Sequence, residues 1–81
     1  MMTGKFSEAL ADLDLLISLD DTIYDPFYLR GSIYESIGDW EKAAQDYRSL
    51  AAVITSNYEN PQLLELAQSA LAAAEKMEAN R

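Results

Sequence analysis

Apolar positions recur along this chain at intervals of three and four. Over residues 5–19 they are Phe6, Ala9, Leu10, Leu13, Leu16 and Ile17, with Leu15 and Leu19 widening the stripe. That spacing places them on one face of a helix. Residues 26–55 carry a similar pattern, broken once at Gly38-Asp39, and residues 61–78 repeat it with Leu63, Leu64, Ala67, Ala70, Leu71, Ala74 and Met77. No run alternates strictly enough to be a strand. Asp25-Pro26 and Asn60-Pro61 each set a capping side chain before a proline. The cap accepts an orphan helix N–H, and proline in the first turn gives up no bond. Gly38 suits the left-handed residue just past a helix C-terminus. The pattern predicts helices over about 5–19, 26–37, 39–55 and 61–78 of a single domain spanning residues 1–81. The second and third are antiparallel, because almost nothing joins them.

Sliding the chain over itself by 34 residues places Gly4 on Gly38, Phe6 on Trp40, Ala9 on Ala43, Asp12 on Asp46, Leu13 on Tyr47 and Leu16 on Leu50. A glycine, an aromatic and an alanine in fixed relative spacing favour an internal repeat over chance register. The run from Phe27 to Tyr34 reads Phe-Tyr-Leu-Arg-Gly-Ser-Ile-Tyr, and the next helix carries Ala43 and Tyr47. This resembles the tetratricopeptide repeat, whose signature W-x2-L-G-x2-Y opens a helix pair. Here Phe27 stands for the Trp, Arg30 for the Leu, and the closing proline is missing. Residues 24–57 resemble one full unit, residues 4–20 the second helix of a preceding one, and residues 58–81 a terminal capping helix.

The resemblance implies an all-α fold, an antiparallel helical hairpin array forming a fragment of a right-handed superhelix. Gly31 and Ala43 would lie where the paired helices cross, with Phe27, Tyr34, Trp40 and Tyr47 filling the wedges around them. It also implies a groove lined by the first helix of the unit, at Asp25, Tyr28, Ser32 and Glu35, with Leu29 beside them. One subclass of the family holds acidic tails with a clamp of Lys, Arg and Asn. Those positions carry Tyr28, Leu29, Ser32 and Ser36 here, so that activity does not transfer.

Charge narrows the partners. Net charge is −8, from 14 acidic and 6 basic residues. Such a field repels a phosphate backbone and an anionic membrane surface, and favours a basic protein or peptide. No segment has the apolar length of a membrane helix, and the N-terminal stripe is interrupted by Glu8, Asp12 and Asp14, unlike a signal peptide. The cytoplasm is the expected compartment. With no histidine and no cysteine, the seven serines lack an activating base and there is no thiol chemistry. Asp20, Asp21 and Asp25 form the densest acidic cluster, but without the glycine and terminal glutamate of a calcium loop they read as a solvated turn. No enzyme activity, metal or cofactor is expected.

The first helix raises a separate question. Its Phe6, Ala9 and Leu13 match Trp40, Ala43 and Tyr47, which face a partner helix within the full unit. Leaving Phe6 and Leu13 wet would forgo about 1.5–3 kcal/mol each. Four arrangements would resolve this: a two-fold homodimer, docking on a larger assembly, a longer repeat protein, or rotation of the whole stripe onto helix 26–37. Two functions follow. One is a non-catalytic adaptor or scaffold that binds through the groove. The other is a structural subunit that assembles through Phe6, Ala9 and Leu13.

Overall fold

The computed structural model describes residues 4–79, and among them there are four helices and no strand: α1 (Gly4–Leu19), α2 (Asp25–Ser36), α3 (Trp40–Asn57) and α4 (Pro61–Ala79). Packing is strictly sequential. α1 contacts α2, α2 contacts α3 and α3 contacts α4, with no contact between other pairs. The result is a slab of 38 × 31 × 16 Å. The final two residues of the segment expected to cap the array lie outside the described residues.

The turns show how the chain reverses. At the end of α2, Gly38 takes φ 81°, the Gly38 N–H donates to the Glu35 carbonyl (3.2 Å) and the Asp39 N–H to the Tyr34 carbonyl (2.9 Å). These paired bonds satisfy orphan carbonyls and need a left-handed residue, which glycine supplies without strain. Asp39 then caps α3 by accepting the Lys42 N–H. Asn60 caps α4 as expected, its Oδ1 accepting the Gln62 N–H at 2.8 Å. Asp25 does not cap. The residue before α2 is Tyr24, whose φ of −81° and ψ of −30° are already helical, and no side chain caps this end. The pattern Asp-Pro misleads here because Tyr24 takes up the turn, its carbonyl accepting from Phe27 and Tyr28.

The core lies among α2, α3 and α4. Phe27 from α2 packs with Ala43, Ala44, Tyr47, Leu50, Ala51 and Ile54 of α3 and with Ala67, Ala70, Ala74 and Met77 of α4. Tyr34 and Trp40 pack partly buried against this cluster. Small residues allow the close approach. A Cβ built on Gly31 would stand 3.2 Å from Tyr47 Cε1 and 3.3 Å from Asp46 Cβ. Between the α1–α2 and α3–α4 connections, Tyr24 and Tyr58 meet edge to face with centroids 5.3 Å apart, and the Tyr58 hydroxyl donates to the Thr22 carbonyl.

Gly31→Leu and Ala43→Leu are each expected to overpack the α2–α3 crossing and lower stability by about 1–3 kcal/mol. Gly31→Ala is expected to change it little, because the tight contact offsets the roughly 1 kcal/mol gain in helix propensity. Urea midpoints of the three variants test this. Unchanged midpoints for both leucine variants would reject the close crossing.

Candidate functional site

The middle helix carries the chemistry of the molecule. α2 lies between α1 and α3, so its faces scarcely differ in hydropathy. Its side chains either bond across to the neighbours or stand over the two hollows that flank it.

Arg30 bonds across. Its Nε and Nη2 donate to the two Asp46 oxygens at 2.9 and 2.6 Å, and Nη1 donates to Asp14 Oδ1 at 2.8 Å. One side chain therefore ties α1, α2 and α3 together. Asp46 is only 3% exposed, and a fork-to-fork pair is the geometry that compensates burying such a carboxylate. The Asp46 bonds push the Arg30 pKa still higher, so the group is charged at every accessible pH. The guanidinium also lies 5.9 Å from the centroid of the Phe27 ring.

A second network surrounds the Tyr47 hydroxyl. It donates to Glu35 Oε1 at 2.9 Å and lies 3.3 Å from Ser32 Oγ. The ring of Tyr28 tilts against that of Tyr47, with centroids 6.4 Å apart. Burial pushes the Tyr47 pKa above its ordinary value. The Ser32 hydrogen bond opposes this, and the Glu35 carboxylate adds to it.

The five residues expected to line one groove are divided by the structure. Tyr28, 44% exposed, borders a hollow of about 220 Å³ that opens towards α4, with Leu50, Leu66 and Ala70 in its wall. Leu29 and Ser32 border a different hollow, of about 420 Å³, between α2 and α1. Glu35 is exposed beside Tyr47, and Asp25 is exposed in the first turn of α2. So Ser32 and Glu35 meet at the Tyr47 hydroxyl and Tyr28 lies against the Tyr47 ring, while Leu29 borders the other hollow.

On α1, the residues offered as an association face, Phe6, Ala9 and Leu13, take the last of the four arrangements, rotation of the stripe onto the second helix. Leu13 is buried, 7% exposed, and Phe6 and Ala9 are half-buried. The helix has turned its stripe onto α2. Its apolar arc is too wide for one neighbour, so Leu15, Leu16 and Leu19 remain exposed. In the acidic turn, the Asp20 carboxylate accepts from both the Thr22 N–H and its hydroxyl, which holds its pKa below the ordinary value.

Sequence reasoning placed Arg30 only as a departure from the repeat signature. The signal for its role was an arginine next to the crossing glycine, in a helix whose partner carries Asp46 among small and aromatic residues. No protein-family model, curated protein or solved structure matches this chain. No helix of the described residues is long and apolar enough to cross a membrane.

Two outcomes are expected. Arg30→Leu alone leaves Asp46 buried and unpaired, and is expected to lower stability by about 3 kcal/mol or more, whereas Arg30→Leu with Asp46→Ala recovers most of the loss. Urea unfolding checks this, and a double variant no better than the single would disprove the pairing. For Tyr47 the folded-state pKa lies above the unfolded one. Its contribution is therefore present below about pH 10 and is lost as pH rises through that value and beyond. Tyr47→Phe should flatten the alkaline arm of the stability profile; an unaltered arm would contradict the assignment.

Proposed function

We propose that this chain is a non-catalytic protein–protein interaction module, a tetratricopeptide-like adaptor or scaffold that binds a basic peptide or protein segment over α2. The observation that carries this reading is the exposed Tyr28 ring, propped on Tyr47, beside the Glu35 carboxylate and at the edge of the hollow towards α4. An aromatic anchor over an apolar hollow with a carboxylate at its rim suits a segment that offers one apolar side chain and one cation. The net charge of −8 draws the same class of partner by long-range attraction. Asp25 extends the acidic rim at the start of the helix, in the first turn. Such a module belongs in a soluble compartment, the cytoplasm by default. The sequential array of helices, the crossing glycine and the turn glycine support the family resemblance.

Selection of peptides from a random library against the full chain is expected to enrich Lys and Arg. Tyr28→Ala and Glu35→Lys are each expected to weaken the selected peptides about tenfold or more. Enrichment of acidic peptides, or equal binding to Tyr28→Ala, would refute this reading.

A further inference from the structure

The hollow between α1 and α2 has an internal template. At an offset of 34 residues, Ala9, Asp12, Leu13 and Leu16 of α1 match Ala43, Asp46, Tyr47 and Leu50 of α3. The structure supports the equivalence at two other places. Tyr24 and Tyr58, also 34 apart, meet edge to face. Asp14 and Arg48, again 34 apart, each form an ion pair with the helix that follows their own, Asp14 with Arg30 and Arg48 with Glu78.

The four α3 residues are all buried, and Leu50 is 0% exposed. α2 helps to cover them: Gly31 sits against Asp46 and Tyr47, Arg30 clamps Asp46, and Tyr28 lies on Tyr47. The matching surface of α1 is covered on one side only, where packing on α2 buries Leu13 to 7% exposure and half-buries Ala9. Leu16 is 50% exposed, Ala9 and Leu13 line the hollow of about 420 Å³, and Asp12 has no ion-pair partner among the described residues. Asp12, at the edge of the hollow, and Leu16, one turn further on, thus stand open where their counterparts are buried beside an arginine-bearing helix.

We propose that this hollow seats an amphipathic helix of a partner protein, running antiparallel to α1 and carrying an arginine followed by a small residue. The small residue sits over the hollow that Ala9 and Leu13 help to wall, as Gly31 lies against Tyr47. The arginine reaches Asp12, as Arg30 reaches Asp46. A second copy of this chain does not fit the charge. It would bring −8 against −8, and both arginines of the copy that precede a small residue are engaged within it, Arg30 (before Gly31) with Asp46 and Arg48 (before Ser49) with Glu78. The seat lies between α1 and α2 and shares Ser32 with the Tyr47 network, but Tyr28 is not part of its wall.

The probe is a peptide of residues 24–37 of this chain with Asp25→Lys and Glu35→Lys, which keeps Arg30 and Gly31 and makes the peptide cationic. In an NMR titration of the full chain, amides of Ala9, Asp12, Leu13 and Leu16 are expected to shift to saturation. Arg30→Ala in the peptide and Asp12→Asn in the chain are each expected to weaken binding about tenfold, the size of a charge-assisted hydrogen bond, and to be non-additive. Tyr28→Ala in the chain is expected to leave this binding unchanged, which separates it from the α2 surface. A short free peptide forms little helix. The same segment is therefore also joined ahead of Met1 by a flexible linker, where its effective concentration is high. A higher melting temperature, lost again with Asp12→Asn, is expected. An unchanged melting temperature, shifts confined to α3 and α4, or a dimer of the free chain that Leu16→Asp dissolves would each overturn the proposal.

Discussion

The first three helices of this fold are arranged around one guanidinium. Arg30 joins the three helices α1, α2 and α3 by bonding Asp14 at one end and gripping both oxygens of Asp46 at the other. A buried ion pair is weak evidence for net stability, because desolvation consumes most of the attraction. Its value here is register. The fork geometry fixes where α2 lies along α3, and the third bond fixes α1 on the opposite side. An apolar contact at the same place would tolerate a slide that two directed carboxylates do not.

The glycine next to it makes that register reachable. Gly31 brings the α2 backbone to within van der Waals contact of Asp46 and Tyr47, so the short Asp46 side chain can meet Arg30 Nε at 2.9 Å. Tyr47 fills the space beside the crossing and turns its hydroxyl out to Ser32 and Glu35. The same tyrosine thus ends the core on one side and begins the surface on the other. Tyr28 is held by packing, and not merely exposed, because its neighbour is fixed at both ring and hydroxyl. An anchor held this way loses little freedom on binding.

Much of the fold was legible because its signals are local. Three-and-four spacing located every helix, and the ends at Gly38 and Asn60 follow from backbone stereochemistry and side-chain capping alone. Asp25 looked like a cap for the same local reasons, yet Tyr24 had already entered helical geometry. The candidate site was legible in part. Tyr28, Ser32 and Glu35 do gather around one tyrosine, but a groove inferred on one helix could not show that Leu29 borders a different hollow. That division depends on how α1 rotates. The rotation is set by tertiary contacts such as Asp14 with Arg30, sixteen residues apart. Leu13 is buried for the same reason: a stripe too wide for one neighbour must choose a side, and the pattern does not say which.

The strictly sequential contacts bear on how the molecule comes apart. α1 touches α2 alone and contributes no fully buried member to the main cluster. Each of the other helices shares that cluster. The contacts thus divide the chain into a block of three helices sharing one core and a fourth on its edge. Opening that edge breaks the Leu13 contact and one arm of the Arg30 bridge, while Asp46 stays gripped. Amide exchange along α1 would then be governed by a local free energy well below that of the block. Because every contact joins helices adjacent in sequence, assembly needs no long loop to close and can spread from the α2–α3 hairpin in either direction.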